Sequence, residues 1–226
     1  MGQHSADVWE WQRLLRSGAR ELGLELTPET IQKFLQYLAE LQKWNARVNL
    51  TALNTAPEII HKHFLDSLAL ARWVRDLSSL VDLGTGAGFP GLPLKLAFPA
   101  LELTLVEAKG KKVAFLQYLI VLLQLSGIEV RHCHLTPQMA QTWGGGWSGV
   151  VSRATFSLSR FLALAAPLLQ PDGRLIAMKG PRLDETELQE AERQARSLGL
   201  GNPEIHLYTL PLTREPRQVI LFTRLN

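Results

Sequence analysis

One cysteine, Cys133, stands in 226 residues, which excludes an internal disulfide. Equally absent is any stretch of membrane-spanning length that is predominantly apolar and free of charge. The richest apolar run, FLQYLIVLLQL from Phe115 to Leu125, is too short and contains Gln117 and Gln124. It reads as a buried helix. The opening residues, MGQHSADVWEWQ, lack the basic region and apolar stretch of a secretory signal, so the expected location is the cytoplasm. Repeats and low-complexity tracts are missing too. His61 and His63 flank one residue in an expected helix and so point to different faces, and no metal is expected. Cys133 falls in the alternating IEVRHCH stretch and reads as a small packed hydrophobe rather than a nucleophile.

What is present suits a globular chain: 46% hydrophobic and 20% charged residues can bury a core. The net charge of +3 is small, so its distribution matters more than its sum. From Lys95 through Arg182 there are ten Lys or Arg against four Asp or Glu, while the residues before Lys95 add nothing to the excess. An anionic partner would meet the middle of the chain, although a solvated face produces the same imbalance.

The first 78 residues read as a helical section packed on the rest. Thr27-Pro28 is a start signal, and Ile31, Phe34, Leu35, Leu38, Leu41 and Trp44 then recur on one helical face. A shorter helix is expected around Trp9, Leu14 and Leu15, and another after Pro57. From residue 79 to 226 the rhythm becomes strand, loop, helix. Strands are expected at SLVDL, LELTLVEA, IEVRHC, GVVSR, GRLIAMK, EIHLYTL and RQVILFTR. Strands alternating with helices imply an α/β fold, a mostly parallel sheet covered on both faces. Only the PLTREPRQ stretch joins the last two, too short for a parallel crossover, so the final strand should run antiparallel.

The densest signal is VDLGTGAGFPG, from Val81 to Gly91, where Gly84, Gly86, Gly88 and Gly91 follow the first strand. Glycines this close together let the backbone approach a ligand, and the following helix turns its amino end toward anionic groups. The tail of the stretch matches G-x-G-x-x-G, which alone is weak. Glu107, 23 residues after Gly84 at the end of the second strand, adds a carboxylate able to accept a ribose diol. Loop and acid together point to an adenosine-containing ligand, with a purely structural turn as the alternative. A dehydrogenase would need a second lobe that the remaining chain does not supply. Asp82 ahead of G-x-G-x-G instead resembles the S-adenosylmethionine loop of Rossmann-like, class I methyltransferases, whose last strand is also reversed.

The resemblance extends further. WNARVNLTAL at Trp44, HKHFLDSLAL at His61, VDLGTGAGFPGLPL with LVEAKGKKVAFL, and VVSRATFSL with LIAMKG make the chain similar to the bacterial small-subunit ribosomal RNA guanine-N7 methyltransferases, called RsmG or glucose-inhibited division protein B. The family implies methylation of a guanine in the decoding-region loop of 16S ribosomal RNA, with S-adenosylmethionine as donor and the small ribosomal subunit or its RNA as partner. It also implies that Gly84, Gly86, Gly88 and Phe89 border the cofactor, that Glu107 takes the ribose, and that Leu135 and Thr136 lie along the adenine. Arg153 would face the cofactor or the target base. The chain departs from the family at HLTPQM, where an acidic residue is usual near Thr136; a backbone contact survives that change and a carboxylate contact does not. Roles for Asn49, His63 and Asp66, in packing or at the substrate edge, follow only from the family blocks.

Guanine N7 carries an in-plane lone pair and no proton, so it attacks a sulfonium methyl without a general base, and no residue is singled out as catalyst. The base must be unpaired, because the deep groove of an RNA helix hides N7. Arg153 could hold the methionine carboxylate or donate to guanine O6; the carboxylate is preferred, since a cation beside N7 opposes transfer. Lys179 ends the fifth strand on the same edge. Lys109, Lys111 and Lys112 open the helix after Glu107, against its dipole, and RNA phosphates would compensate them. A solvated triplet is the plain alternative, as a strand-end surface cation is for Arg153 and Lys179. Another RNA, a small molecule, or a non-catalytic nucleotide-binding module are the competing readings.

Overall fold

The computed structural model describes residues 2–153 and 155–225, with side chains from Asp7 onward; Met1, Ala154 of the SRA block and Asn226 lie outside the described residues. Helix α1 (Gly2–Glu21) is shorter than α2 (Pro28–Val48) by a single residue, because it extends upstream of Trp9 without apolar periodicity to announce it. Helix α2 begins as its sequence says. The Thr27 side chain accepts the N–H of Thr30 and Pro28 occupies the first turn, while Asn49 ends the helix at φ +50°. The next helical stretch is irregular: α3 (Ala56–Ile59), a π-helical segment (Ile60–Leu65), α4 (Asp66–Leu68) and α5 (Ala71–Val74).

Among the described residues, seven strands form one sheet. They are β1 (Ser79–Leu83), β2 (Glu102–Glu107), β3 (Ile128–His132), β4 (Trp147–Arg153), β5 (Leu169–Lys179), β6 (Glu204–Thr209) and β7 (Pro216–Thr223), in the order β3-β2-β1-β4-β5-β7-β6. The first five pair in parallel, and β7 inserts antiparallel between β5 and β6. The strands from β1 to β3 are added to one side and those from β4 onward to the other, so the strand order reverses between β1 and β4, the switch point where open α/β sheets hold their ligands.

Alternate residues of each strand enter two different cores. Leu80, Leu103, Leu105, Val151 and Ile176 join α1, α2, α6 (Gly91–Ala97) and α7 (Gly110–Leu122) on one face. Val81, Leu83, Val106, Val150 and Leu175 join α8 (Pro137–Trp143), α9 (Leu158–Ala165) and α10 (Glu185–Ser197) on the other. This is the period-two pattern of a sheet buried on both sides. The expectation of a buried helix at Phe115–Leu125 is corrected. Helix α7 packs one face through Val113, Phe115, Leu116 and Leu119, and leaves Tyr118, Val121 and Leu122 exposed. Among the described residues no helix is long and apolar enough to cross a membrane.

Candidate functional site at the switch point

The loop from Gly84 to Pro90 leaves β1 at the switch point and enters α6. Its glycines answer to different neighbours. A Cβ on Gly88 (φ +107°) would lie 2.5 Å from Leu92 Cδ1 and 2.7 Å from the Tyr37 hydroxyl, so there the protein itself comes close. At Gly86 (φ +64°) the nearest atom would be Lys112 Nζ at 3.6 Å, and the loop faces open space. Asp82 anchors the loop from beneath: one carboxylate oxygen accepts the Thr85 hydroxyl at 2.6 Å and the Gly91 N–H at 2.8 Å. Complete burial pushes its pKa up to about 6, against those hydrogen bonds and the Arg153 charge.

Glu107 is buried at the end of β2, and both its oxygens are engaged. One accepts the Gly86 N–H at 2.9 Å and the other the Lys109 N–H at 2.8 Å. The carboxylate therefore ties the glycine loop to the turn that starts α7. Each oxygen still has a lone pair to offer, which suits a diol lying across the carboxylate.

Among the described residues, cavities open along this edge. The first, about 280 Å³, lies between Gly84, Glu107, Lys109, Leu135, Thr155 and Phe156. A second of about 190 Å³, among Thr51, His63, Gly86, Phe89 and Arg153, shares Gly84, Lys112 and Thr155 with the first. A third of about 220 Å³ lies beyond Arg153 and His63, between Lys62, Asp66, Lys179, Tyr208 and Arg217. Arg153 and His63 thus form the wall between the second and third.

That wall is tightly bonded. Arg153 donates to the Lys62 carbonyl at 3.0 Å and to His63 Nδ1 at 3.0 Å, and its guanidinium lies 3.5 Å from Asp66 and 5.1 Å from the Phe89 ring centre. The Lys62 carbonyl is also 3.1 Å from His63 Nδ1. Because guanidinium can only donate, and Arg153 already serves that carbonyl, Nδ1 is the acceptor. Nε2 then carries the proton and donates to the Thr51 hydroxyl at 2.7 Å. Burial, with the Arg153 charge, lowers the His63 pKa to about 3, so the ring is neutral. Burial raises the Asp66 pKa, opposed by Arg153 and by the Tyr208 hydroxyl donating at 2.9 Å.

The cations of the third cavity all have carboxylate partners: Arg153 with Asp66, Arg217 and Lys62 with Glu215, and Lys179 with Glu187 at 2.8 Å. Lys179 also donates to the Phe156 carbonyl. Among the described residues, the ammonium groups of Lys109, Lys111 and Lys112 have no ion-pair partner; Lys109 and Lys112 line the first cavity and Lys111 faces solvent.

Of the residues marked in the sequence, Gly84, Glu107, Leu135, Lys109 and Lys112 meet at the first cavity, and Gly86, Phe89 and Arg153 at the second. Gly88 turns toward Tyr37 rather than a cavity, and Thr136 caps α8 by accepting the Met139 N–H. Cys133 packs against the second core as expected of a small hydrophobe, but it is only half-buried and, with His134, lines the first cavity. Cys133, His134, Thr155 and Phe156 were reachable by the rule that found Glu107, since they follow the carboxyl ends of β3 and β4. Thr51 and His63 carried no such signal.

Comparison with known proteins places the chain among methyltransferases. The family model described as rRNA small subunit methyltransferase G matches residues 30–212. A ribosomal RNA small subunit methyltransferase G of Myxococcus xanthus is 41% identical over 93% of this chain and 95% of its own. One from a Geobacter species is 38% identical over 94% and 97%. Solved structures share the fold: a SAM-dependent O-methyltransferase from Thermotoga maritima (TM-score 0.55, 14% identity, 71% of this chain and 65% of that one) and a SAM-dependent methyltransferase from Aquifex aeolicus (0.54, 15%, 74% and 93%).

Proposed function

The chain belongs to the rRNA small subunit methyltransferase G family, and on that premise we propose that it transfers a methyl group from S-adenosylmethionine to N7 of one guanine in the decoding-region loop of 16S ribosomal RNA. The observation that carries the reading is the meeting of the first two cavities at Gly84, Lys112 and Thr155, directly over the glycine loop. One has the acid and apolar walls that a nucleoside requires. The other is closed by aromatic and guanidinium groups that can confine a reacting centre.

The residues fit the donor. Gly86 presents an open backbone, Glu107 offers its free lone pairs to a ribose diol, and Leu135 and Phe156 supply apolar surface for an adenine. Lys112, which lines both cavities, can meet the methionine carboxylate, a task otherwise assigned to Arg153. When bound, S-adenosylmethionine supplies an electrophilic methyl group on a sulfonium.

Guanine N7 needs orientation rather than deprotonation, so the chain's work is to position the base and to avoid opposing its new positive charge. Arg153 is countered by Asp66, and His63 is neutral. The wall of Arg153 and His63 therefore adds no uncompensated cation, and the unpaired Lys112 that also lines this cavity is taken up by the methionine carboxylate. The unpaired Lys109 and Lys111 are left to meet RNA phosphates, whereas Lys179 is held by Glu187. The partner is the small subunit or its RNA, in the cytoplasm.

The test incubates the protein and labelled S-adenosylmethionine with small subunits from a strain lacking this methyl group. Label should enter 16S RNA and map, by cleavage at N7-methylguanine, to one decoding-region position. Label in another RNA, or none, would overturn the reading.

A further inference from the structure

Helix α7 carries an apolar surface that the site just described does not use. Val121 is 77% exposed, Leu122 38% and Tyr118 37%, although the run they belong to is the most apolar in the chain. Lys111, Ala114, Tyr118 and Val121 recur at intervals of three and four residues, which puts them on one exposed stripe. Trp44, at the end of α2, lies beside it: its ring centre is 5.5 Å from that of Tyr118 and 5.4 Å from that of the buried Phe115. Two half-exposed aromatic rings are thus held in place by packing.

The surface is also predominantly basic: the acid of α2 nearest Trp44, Glu40, is paired with Lys43 at 3.2 Å. Between Ala108 and Ile128 there is no Asp or Glu, and Lys111 and the exposed Arg47 have no carboxylate partner among the described residues. It is continuous with the candidate site. Lys112, in the first turn of α7, lines both inner cavities, and Leu50 and Thr51, just past the end of α2, line the second. From Lys112 to Tyr118 the helix rises about 9 Å, within reach of a nucleotide next to one held in the cavity.

We propose that Tyr118 and Trp44, with Val121 as its apolar margin, form a stacking platform for an unpaired base flanking the target guanine, with Lys111 and Arg47 meeting the adjoining phosphates. This rests on the function proposed above. Every base has a π-face, so aromatic rings beside free cations bind unpaired RNA without reading its sequence. A protein partner or a second copy would find the apolar stripe, but the nearest carboxylate, Glu40, is already engaged by Lys43, so the partner would need to bring acids of its own for Lys111 and Arg47.

The experiment compares Tyr118→Ala, Tyr118→Phe and Val121→Glu with the parent, by KM and kcat for small subunits, by retention of protein-free 16S RNA, and by ultraviolet crosslinking with peptide mapping. Tyr118→Ala should raise KM and weaken RNA retention about tenfold, with kcat and S-adenosylmethionine affinity unchanged, while Tyr118→Phe stays near the parent. Crosslinks should fall on the peptides holding Trp44 and Tyr118. An unchanged KM in Tyr118→Ala, an equal loss in Tyr118→Phe, or crosslinks confined elsewhere would overturn the platform. So would a loss seen with subunits but absent with protein-free RNA, which marks a protein contact, or a dimer that Val121→Glu dissociates. If the parent fails to methylate 16S RNA, the function itself falls; if it methylates and Tyr118→Ala is silent, only the platform does.

Discussion

The guanidinium of Arg153 donates to Nδ1 of His63 at 3.0 Å, while the other face of that relationship is the His63 ring stacked 4.3 Å from Phe89 of the glycine loop. A residue of the π-helical segment, one at the end of β4 and one in the loop are thereby locked together. Protonating the imidazole would break the bond to Arg153 and place two cations side by side. The His63 ring should accordingly show no NMR titration between pH 5 and 8. An inflection at the ordinary histidine value near 6.5 would mean that this contact does not form.

Two buried groups should act on stability with opposite signs. His63 is depressed to about 3, so between that value and about 6.5 the unfolded chain binds the extra proton, and stability is lost as pH falls. Asp82 is raised to about 6, so between about 4 and 6 the folded chain binds the extra proton, and stability is lost as pH rises. The two slopes oppose each other in the parent. Relative to it, His63→Phe should grow less stable from pH 4 to 6, and Asp82→Asn more stable, each by up to about 3 kcal/mol. Urea unfolding of the three proteins at both pH values measures this directly.

Glu107 bonds both the glycine loop and the first turn of α7. Removing its carboxylate strips two backbone N–H groups of their partner as well as the acceptor for the ribose. Glu107→Ala should weaken S-adenosylmethionine binding by about tenfold to a hundredfold, the loss expected for hydrogen bonds to a charged group. Calorimetric titration measures the affinity, and an unchanged value would remove Glu107 from the cofactor site.

The helical first third also reaches the loop: the buried Tyr37 hydroxyl donates to the Ala87 carbonyl at 2.5 Å, and its ring stacks 5.4 Å from Phe89. Tyr37→Phe keeps the ring and leaves the carbonyl unsatisfied, which costs about 1 to 3 kcal/mol. A drop in thermal stability should therefore accompany a rise in the cofactor dissociation constant. A loss of stability with unaltered cofactor affinity would show that the loop does not depend on this tether.

Local sequence carried the sheet well, because each buried strand is a short apolar run with turn residues at both ends, and a strand end at the ligand edge marks its own neighbours. Glu107 and Gly84 were legible for that reason. His63 and Asp66 entered only through the family blocks, since helical periodicity assigns a residue to a face without saying where that helix crosses the sheet, and nothing local announces a π-helical segment; Thr51, in the loop past α2, carried no signal of its own. The exposed side of α7 was misread for a related reason. Tyr118, Val121 and Leu122 satisfy the pattern of a buried helix, and only the placement of β2, β3 and α2 around it shows that one side lacks a cover.

Lys109, Lys111 and Lys112 separate two electrostatic roles. A lysine that meets an RNA phosphate releases counterions, so removing it should lower the slope of log affinity against log salt by about 0.7 for single-stranded RNA. Lys111, exposed and outside the lining of either inner cavity, should show that change in Lys111→Ala with no effect on S-adenosylmethionine. Lys112 lines both inner cavities, so Lys112→Ala should weaken the cofactor more than the RNA. Filter retention of 16S RNA across a salt series, beside cofactor titration, resolves the pair. If Lys111→Ala keeps the parent's salt slope, the positive excess in the middle of the chain is a solvated surface and the RNA must be held by other cations.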